Sequence, residues 1–189
     1  MKNPILLDFP SQIDTPRLLL RPPQAGDGAL LYAAIMASLP QLREFSASLP
    51  WVAGEQSVET SEIYARTAHA NFLARRDFPF LLFTKDSGTF VGCAGLHRPD
   101  WNTPKVDIGY WCHTAQARQG FISEAVQELA RLGFAELGLA RIEIISDEKN
   151  AASRKVAEKC GFVMEGMLRN ERKGPDGELR NTCVYARIA

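Results

Sequence analysis

The apolar positions of this chain change period several times, and each period predicts an element. "RLLLRPP" (17–23) reads as a short strand ended by Pro22 and Pro23, because proline cannot donate to a sheet ladder. Over 25–38, Leu30, Leu31, Ala34 and Ile35 share one helical face, with Asp27 near the start, which predicts a helix. The segment 40–56 carries two prolines and Trp51 without a clear period, so it is expected to be loop with a short helix. Residues 57–76 read as a helix with Ser57 as N-cap and Ile63, Thr67, Ala70 and Leu73 as its buried stripe.

Beyond residue 77 the period shortens. "FPFLLFTKDSGTFVGCAGLH" is two apolar runs around Lys85-Asp86-Ser87-Gly88, a hairpin signal. In "KVDIGYWC" (105–112), Val106, Ile108 and Tyr110 alternate with Asp107 and Gly109, which predicts a strand. A long helix follows from about 120. One row of it is Phe121, Ala125, Leu129 and Leu132; a second is Ile122, Val126, Ala130 and Phe134. Two adjacent rows make the wide apolar face of a helix packed on a sheet. "ARIEIIS" (140–146) is a strand, 150–159 a short helix stopped by Gly161, and the tail a hairpin turning at Pro175-Asp176-Gly177. The order predicts a mixed α/β fold over 1–189 as one domain.

Composition narrows the function. The 189 residues are 46% hydrophobic and 23% charged, with 22 basic residues against 22 acidic ones. A dedicated nucleic-acid or membrane-surface binder would carry a basic excess. "MKNPILLDFP" is too weakly apolar for a signal peptide, and "FPFLLF" (78–83) has strand length, not membrane-spanning length. Cys93, Cys112, Cys160 and Cys183 are widely spaced without a CxxC pair, so reduced, buried thiols in a cytoplasmic protein are expected. His69, His97 and His113 lack ligand spacing, and no metal is expected.

The candidate chemistry lies in "QARQGFISEA" (116–125). A polar, glycine-containing loop opens the long helix directly after a strand. The start of a helix presents unpaired N–H groups and the positive end of the dipole, which suit an anion, above all phosphate. Gly120 allows close approach of a ligand and Arg118 adds charge. Equally, Gly120 permits a tight turn and Ser123 or Glu124 caps the helix.

"ARQGFISEA" resembles the pyrophosphate loop of the GNAT superfamily of N-acetyltransferases, Gln/Arg-x-x-Gly-x-Gly/Ala. Gly120 matches the first Gly; Ile122 and Ala117 depart from the pattern. "GFISEA" is closer to the ribosomal-protein N-terminal (alanine/serine) acetyltransferase branch. "TPRLLLRPP", "VDIGYW", "NAASRKVAEKCGF" and "EGMLRN…GPDGELRNTCVYA" resemble other segments of that branch in the same order, so the likeness covers about 12–187.

The resemblance implies the GNAT acyl-CoA N-acyltransferase fold, with a central strand splayed for CoA, and acetyl-CoA as donor without a metal. Gln119, Gly120, Phe121, Ile122 and Ser123, with Arg118, would hold the pyrophosphate. The backbone of Tyr110, Trp111, Cys112 and His113 would flank the thioester, and one of its N–H groups would stabilise the oxyanion. Asp107 is expected as general base, or else as a salt-bridged strand carboxylate. Many members carry a Tyr seven residues after the helix Asn; here that position is Ala157. Ser153 is instead the expected hydrogen-bond donor to the CoA sulfur, or else a first-turn Ser bonding backbone. Asn150 would cap that helix, bond pantetheine, or both. Lys159 reads as an ordinary exposed residue.

The implied activity is direct acetyl transfer to a primary amine, favouring a protein or peptide N-terminal α-amine of the ribosomal-protein type. Two alternatives stand beside it. One is a small amine (polyamine, amino-acid-like toxin or aminoglycoside), served by Glu44, Glu55, Glu59 and Glu62. The other is a non-catalytic acyl-CoA-binding protein. No nucleic-acid or membrane partner is expected. Homodimers are common in that family, though no residue here identifies an interface. Trp51, Tyr64 and Trp101 either shape an acceptor pocket or serve as packing.

Overall fold

The computed structural model describes residues 3–46 and 49–189; residues 47 and 48 of the 40–56 segment, and the first two of the N-terminal stretch, lie outside it. Eight strands form one sheet: β1 (Ile13–Asp14), β2 (Leu18–Arg21), β3 (Phe78–Thr84), β4 (Phe90–Asp100), β5 (Lys105–Cys112), β6 (Arg141–Asp147), β7 (Val163–Lys173) and β8 (Leu179–Ile188). Their order is β1-β2-β3-β4-β5-β6-β8-β7. Every neighbouring pair is antiparallel except β5 and β6, which are parallel.

Helices cover both faces. On one, α4 (Phe121–Leu137) and α5 (Ala151–Lys159) close the main core. Both predicted rows of α4 reach it: Phe121, Ala125, Leu129 and Leu132, and Ile122, Val126 and Ala130, are buried, with Phe134 packed at the edge. On the other face, α1 (Gly28–Ser46), α2 (Pro50–Ala53) and α3 (Val58–Leu73) pack over β3 to β5.

Two expectations are corrected on this second face. The helix read as 25–38 runs to Ser46, through Pro40. Ile35, Leu42 and Val52 form one buried cluster, so packing continues the apolar stripe past a residue that ordinarily breaks helices. In α3, Ser57 caps the helix by accepting from the Thr60 N–H, as expected. Its buried stripe, however, is Ser61, Ala65, Ala68 and Phe72, while Ile63 and Leu73 are each 58% exposed. The reason is the close approach of α1. A Cβ on Gly28 would stand 2.6 Å from the Glu62 Cβ, so this interface accepts small residues and turns the larger aliphatic ones outward.

The predicted strands and turns at 85–88 and 175–177 are present. All four cysteines are free, and Cys93, Cys160 and Cys183 are buried. Among the described residues, no helix is long and apolar enough to cross a membrane.

Candidate active site

β5 and β6 pair only from Lys105–Asp107 to Arg141–Glu143. Beyond that, β5 stays paired with β4 as far as Cys112, and β6 with β8 as far as Asp147. The sheet therefore opens into two arms, and residues 108–112 of β5 have a free edge. The two ends of the opening are occupied by the starts of α4 and α5.

The α4 start fits an anion. Gly120 is its N-cap with φ 82°, and no side chain caps it. Glu124 N–H is bonded to Gly120 O; Ser123 and Glu124 do not cap the helix as the alternative reading had it. Arg118 also takes left-handed backbone, φ 65°. These two left-handed residues flank Gln119 and curl the chain ahead of the helix start, whose unpaired N–H groups suit an anion.

Residues remote in sequence complete this loop. Arg17, just before β2, donates from Nη1 to Gln119 O (2.9 Å) and from Nε to Glu124 (2.7 Å). Its guanidinium lies 4.5 Å from the Phe121 ring centroid. Glu124 also accepts from Thr15 Oγ1 (2.6 Å) and the Arg17 N–H (2.8 Å). Burial works against its charge, but these bonds outweigh it and hold its carboxyl below the usual range. A Cβ on Gly120 would lie 3.5 Å from Arg17 Nη2 and 3.9 Å from Lys159 Nζ. Lys159 is thus a second cation beside the loop. An open groove of about 600 Å³ runs along Arg17, Gly120, Ser123, Glu124 and Lys159. Nothing local marks Arg17 or Lys159 for this place; the crossings of the chain bring them there.

At the other arm, Asn150 caps α5, accepting from the Ser153 N–H (3.0 Å). The Tyr110 hydroxyl reaches across from β5, donating to Ser153 O at 3.0 Å and standing 3.0 Å from Ser153 Oγ. Burial pushes its phenol up to about 12. Ala157 is wholly buried in the main core, so this fold brings a tyrosine to α5 from β5 and leaves no open space at position 157.

Asp107 lies on the face of α1 and α3, its carboxylate held by Arg98 through Nε (2.9 Å) and Nη2. Of the two expected arrangements, the salt-bridged one is present. Trp111 shares that face and packs near Trp51, ring centroids 6.3 Å apart. His113 donates its N–H to Val91 O (2.8 Å), and its Nδ1 accepts from Ala115 (3.1 Å). It is a local cap whose amide is already used. Cys112 is half-buried, and burial lifts its thiol to about 11, which withholds a nucleophilic thiolate. His69 is bonded to Pro23 O (2.7 Å) and His97 to Asp77 (2.9 Å). Glu62 is tied to Gly26 N–H, Gly28 N–H and Arg66, a clamp between α1 and α3.

Residues 17–163 match the acetyltransferase (GNAT) domain family. This chain belongs to that family. It is 32% identical over 145 residues to the ribosomal-protein-serine acetyltransferase of Escherichia coli K12, covering 75% of this chain and 77% of that one. The same fold occurs in a ribosomal L7/L12 α-N-protein acetyltransferase solved with coenzyme A (TM-score 0.84, 21% identity, 94% and 97% of the two chains). It occurs also in the microcin C7 self-immunity acetyltransferase solved with acetyl-CoA and AMP (TM-score 0.85, 19% identity, 96% and 98%). The GNAT domain is thus an acetyltransferase on a mixed eight-stranded sheet.

Proposed function

We propose that this GNAT domain transfers acetyl from acetyl-CoA directly to the α-amino group of a protein or peptide N-terminus. The observation that carries the donor assignment is the parting of β5 from β6 after Asp107 and Glu143, beside a helix start without a side-chain cap. The acceptor assignment is supported by the ribosomal-protein relative, whose likeness spans three quarters of the chain.

The residues fit acetyl-CoA in three places. Backbone N–H groups of Gln119 to Ser123, with Arg17, Arg118 and Lys159, hold the pyrophosphate. The open edge of β5 pairs with pantetheine. Since the His113 N–H points to β4, strand alternation turns the Tyr110 and Cys112 N–H groups to that open edge. These two are the donors that face the thioester oxygen as charge develops on it. Ser153 Oγ, at the N-terminal turn of α5, hydrogen-bonds the leaving sulfur, where the helix dipole also favours a thiolate. Tyr110 positions that hydroxyl. When bound, acetyl-CoA supplies the activated acyl group; no nucleophilic side chain is required.

An N-terminal α-amine suits a site without a strong base. Its ordinary pKa of about 7.7–8.0 leaves a usable neutral fraction near pH 7, unlike lysine at about 10.4. Asp107 stands on the acceptor side, with Arg98 on its carboxylate.

The test is CoA release from acetyl-CoA against two sets of amines. Peptides with free Ser, Ala or Met N-termini are expected to be acetylated and their blocked counterparts not. Release only with polyamines, amino acids or aminoglycosides would overturn the acceptor assignment.

A further inference from the structure

One cluster on the acceptor face is not used by these assignments. His97, on β4, is paired across the sheet with Asp107 on β5, and the side chains of such partners project to the same face. Its Nδ1 lies 2.9 Å from both carboxylate oxygens of Asp77, in the loop before β3. A carboxylate accepts but does not donate. In the neutral imidazole this bond therefore places the proton on Nδ1 and leaves the Nε2 lone pair bare. No described residue is bonded to Nε2.

The ring's position is set by two glycines. A Cβ on Gly95 would lie 2.9 Å from His97 Nε2, and one on Gly109 would lie 3.0 Å from Cδ2 and 3.3 Å from Nε2. Gly95 and Gly109 are themselves cross-strand partners. The imidazole consequently lies flat against bare backbone at Gly109, one residue before Tyr110. That is within the stretch of β5 that β6 has left. His97 and Asp77 are each 28% exposed at the side chain, so the ring is reachable but held.

We propose that His97 is the base that takes the proton from the attacking amine, and that Asp77 is its positioning residue. The inference deepens the transferase reading above and rests on it. As the amine nitrogen bonds to the thioester carbonyl carbon, its proton passes to Nε2, directly or through one water. The carbonyl electron pair returns, the C–S bond breaks, and the thiolate leaves with its pair. Asp107 is engaged by Arg98, whose Nε and Nη2 both donate to Oδ2, and faces the same side of the sheet as its cross-strand partner His97.

The charged and titratable groups around the imidazole are few. Asp77 faces it from the loop before β3, and Asp107 with Arg98 from β5 and β4. Beyond Asp107, Arg141 is paired with Glu143 and Glu165. From α3 comes Tyr64. It is 44% exposed overall, while burial, with Cys93 and Asp77 nearby, pushes its phenol above the ordinary range. Cys93 is held neutral by burial.

The experiment combines nitrogen-resolved imidazole NMR with kinetics on the amine turned over fastest in the panel above. The expected spectrum of the neutral ring shows the proton on Nδ1 and Nε2 bare. His97→Gln is expected to lower kcat by roughly a hundredfold or more, with acetyl-CoA affinity and thermal unfolding little changed. Asp77→Asn lowers kcat less and adds nothing to His97→Gln. A proton on Nε2, or a folded His97→Gln variant that keeps its kcat or changes only KM, overturns the proposal. A small amine as the working acceptor defeats the N-terminal assignment alone, since the same variants still decide on His97. A wild-type protein inert toward every amine defeats the transferase reading and the base together.

Discussion

The Tyr110 hydroxyl lies 3.0 Å from both the carbonyl and the Oγ of Ser153, joining β5 to the first turn of α5 across the opening in the sheet. Ser153→Ala is expected to lower kcat about 10- to 100-fold while acetyl-CoA still binds, because a weak acid contributes through one hydrogen bond. Steady-state kinetics beside a binding isotherm check this. An unchanged kcat would remove Ser153 from the chemistry.

Burial raises the Tyr110 phenol from its ordinary 10 to about 12 in the folded protein. A group raised on folding contributes stability in full below its unfolded pKa and loses it as pH rises through the folded one. The contribution from Tyr110 is therefore complete below about pH 10 and gone above about pH 12. Tyr110→Phe should flatten the loss of stability across that window, measured by denaturant unfolding at several alkaline pH values.

Arg17 reaches the loop that opens α4 from the far end of the chain. Arg17→Gln removes the bonds to Gln119 O and Glu124. The expected result is about a tenfold rise in the KM for acetyl-CoA, equivalent to about 1.4 kcal/mol, with kcat nearly retained. Added salt should narrow the difference, since the guanidinium is half exposed.

Gly120 sits at φ 82°, where a β-carbon costs about 1–2 kcal/mol. Gly120→Ala should lower Tm by a few degrees and weaken acetyl-CoA binding. A stable variant that binds normally would mean the loop approaches no ligand.

Gly28→Ala should cost about 1–3 kcal/mol, because the new methyl meets Glu62 at 2.6 Å and must separate α1 from α3. Ile63→Ser, on the outer face of α3, should stay within about 0.5 kcal/mol of wild type. Urea unfolding of both variants tests the corrected face of α3.

Element types were legible wherever local chemistry and packing agree. The alternation in β5, the double apolar row of α4, the Ser57 and Asn150 caps and the stop at Gly161 all depend on neighbours within a turn or a strand pair. The glycine-opened start of α4 was legible for the same reason: a strand, a glycine and an apolar helix follow one another directly. The run of α1 through Pro40 and the inner stripe of α3 were not. Both are set by helix-on-helix contact, which no local period reports.

The sequence by itself determined the order of strands and helices, the glycine-opened start of α4 and the Asn-capped start of α5, since each is fixed by residues within a few positions of one another. Only the tertiary structure decided what stands around those starts. It brought Arg17 to Gln119 across 102 positions of chain, Tyr110 to Ser153 across 43, and Asp77 to His97 across 20. Such pairs form because burying the two faces of one sheet fixes which strands are neighbours, and polar groups that share an edge must then satisfy one another.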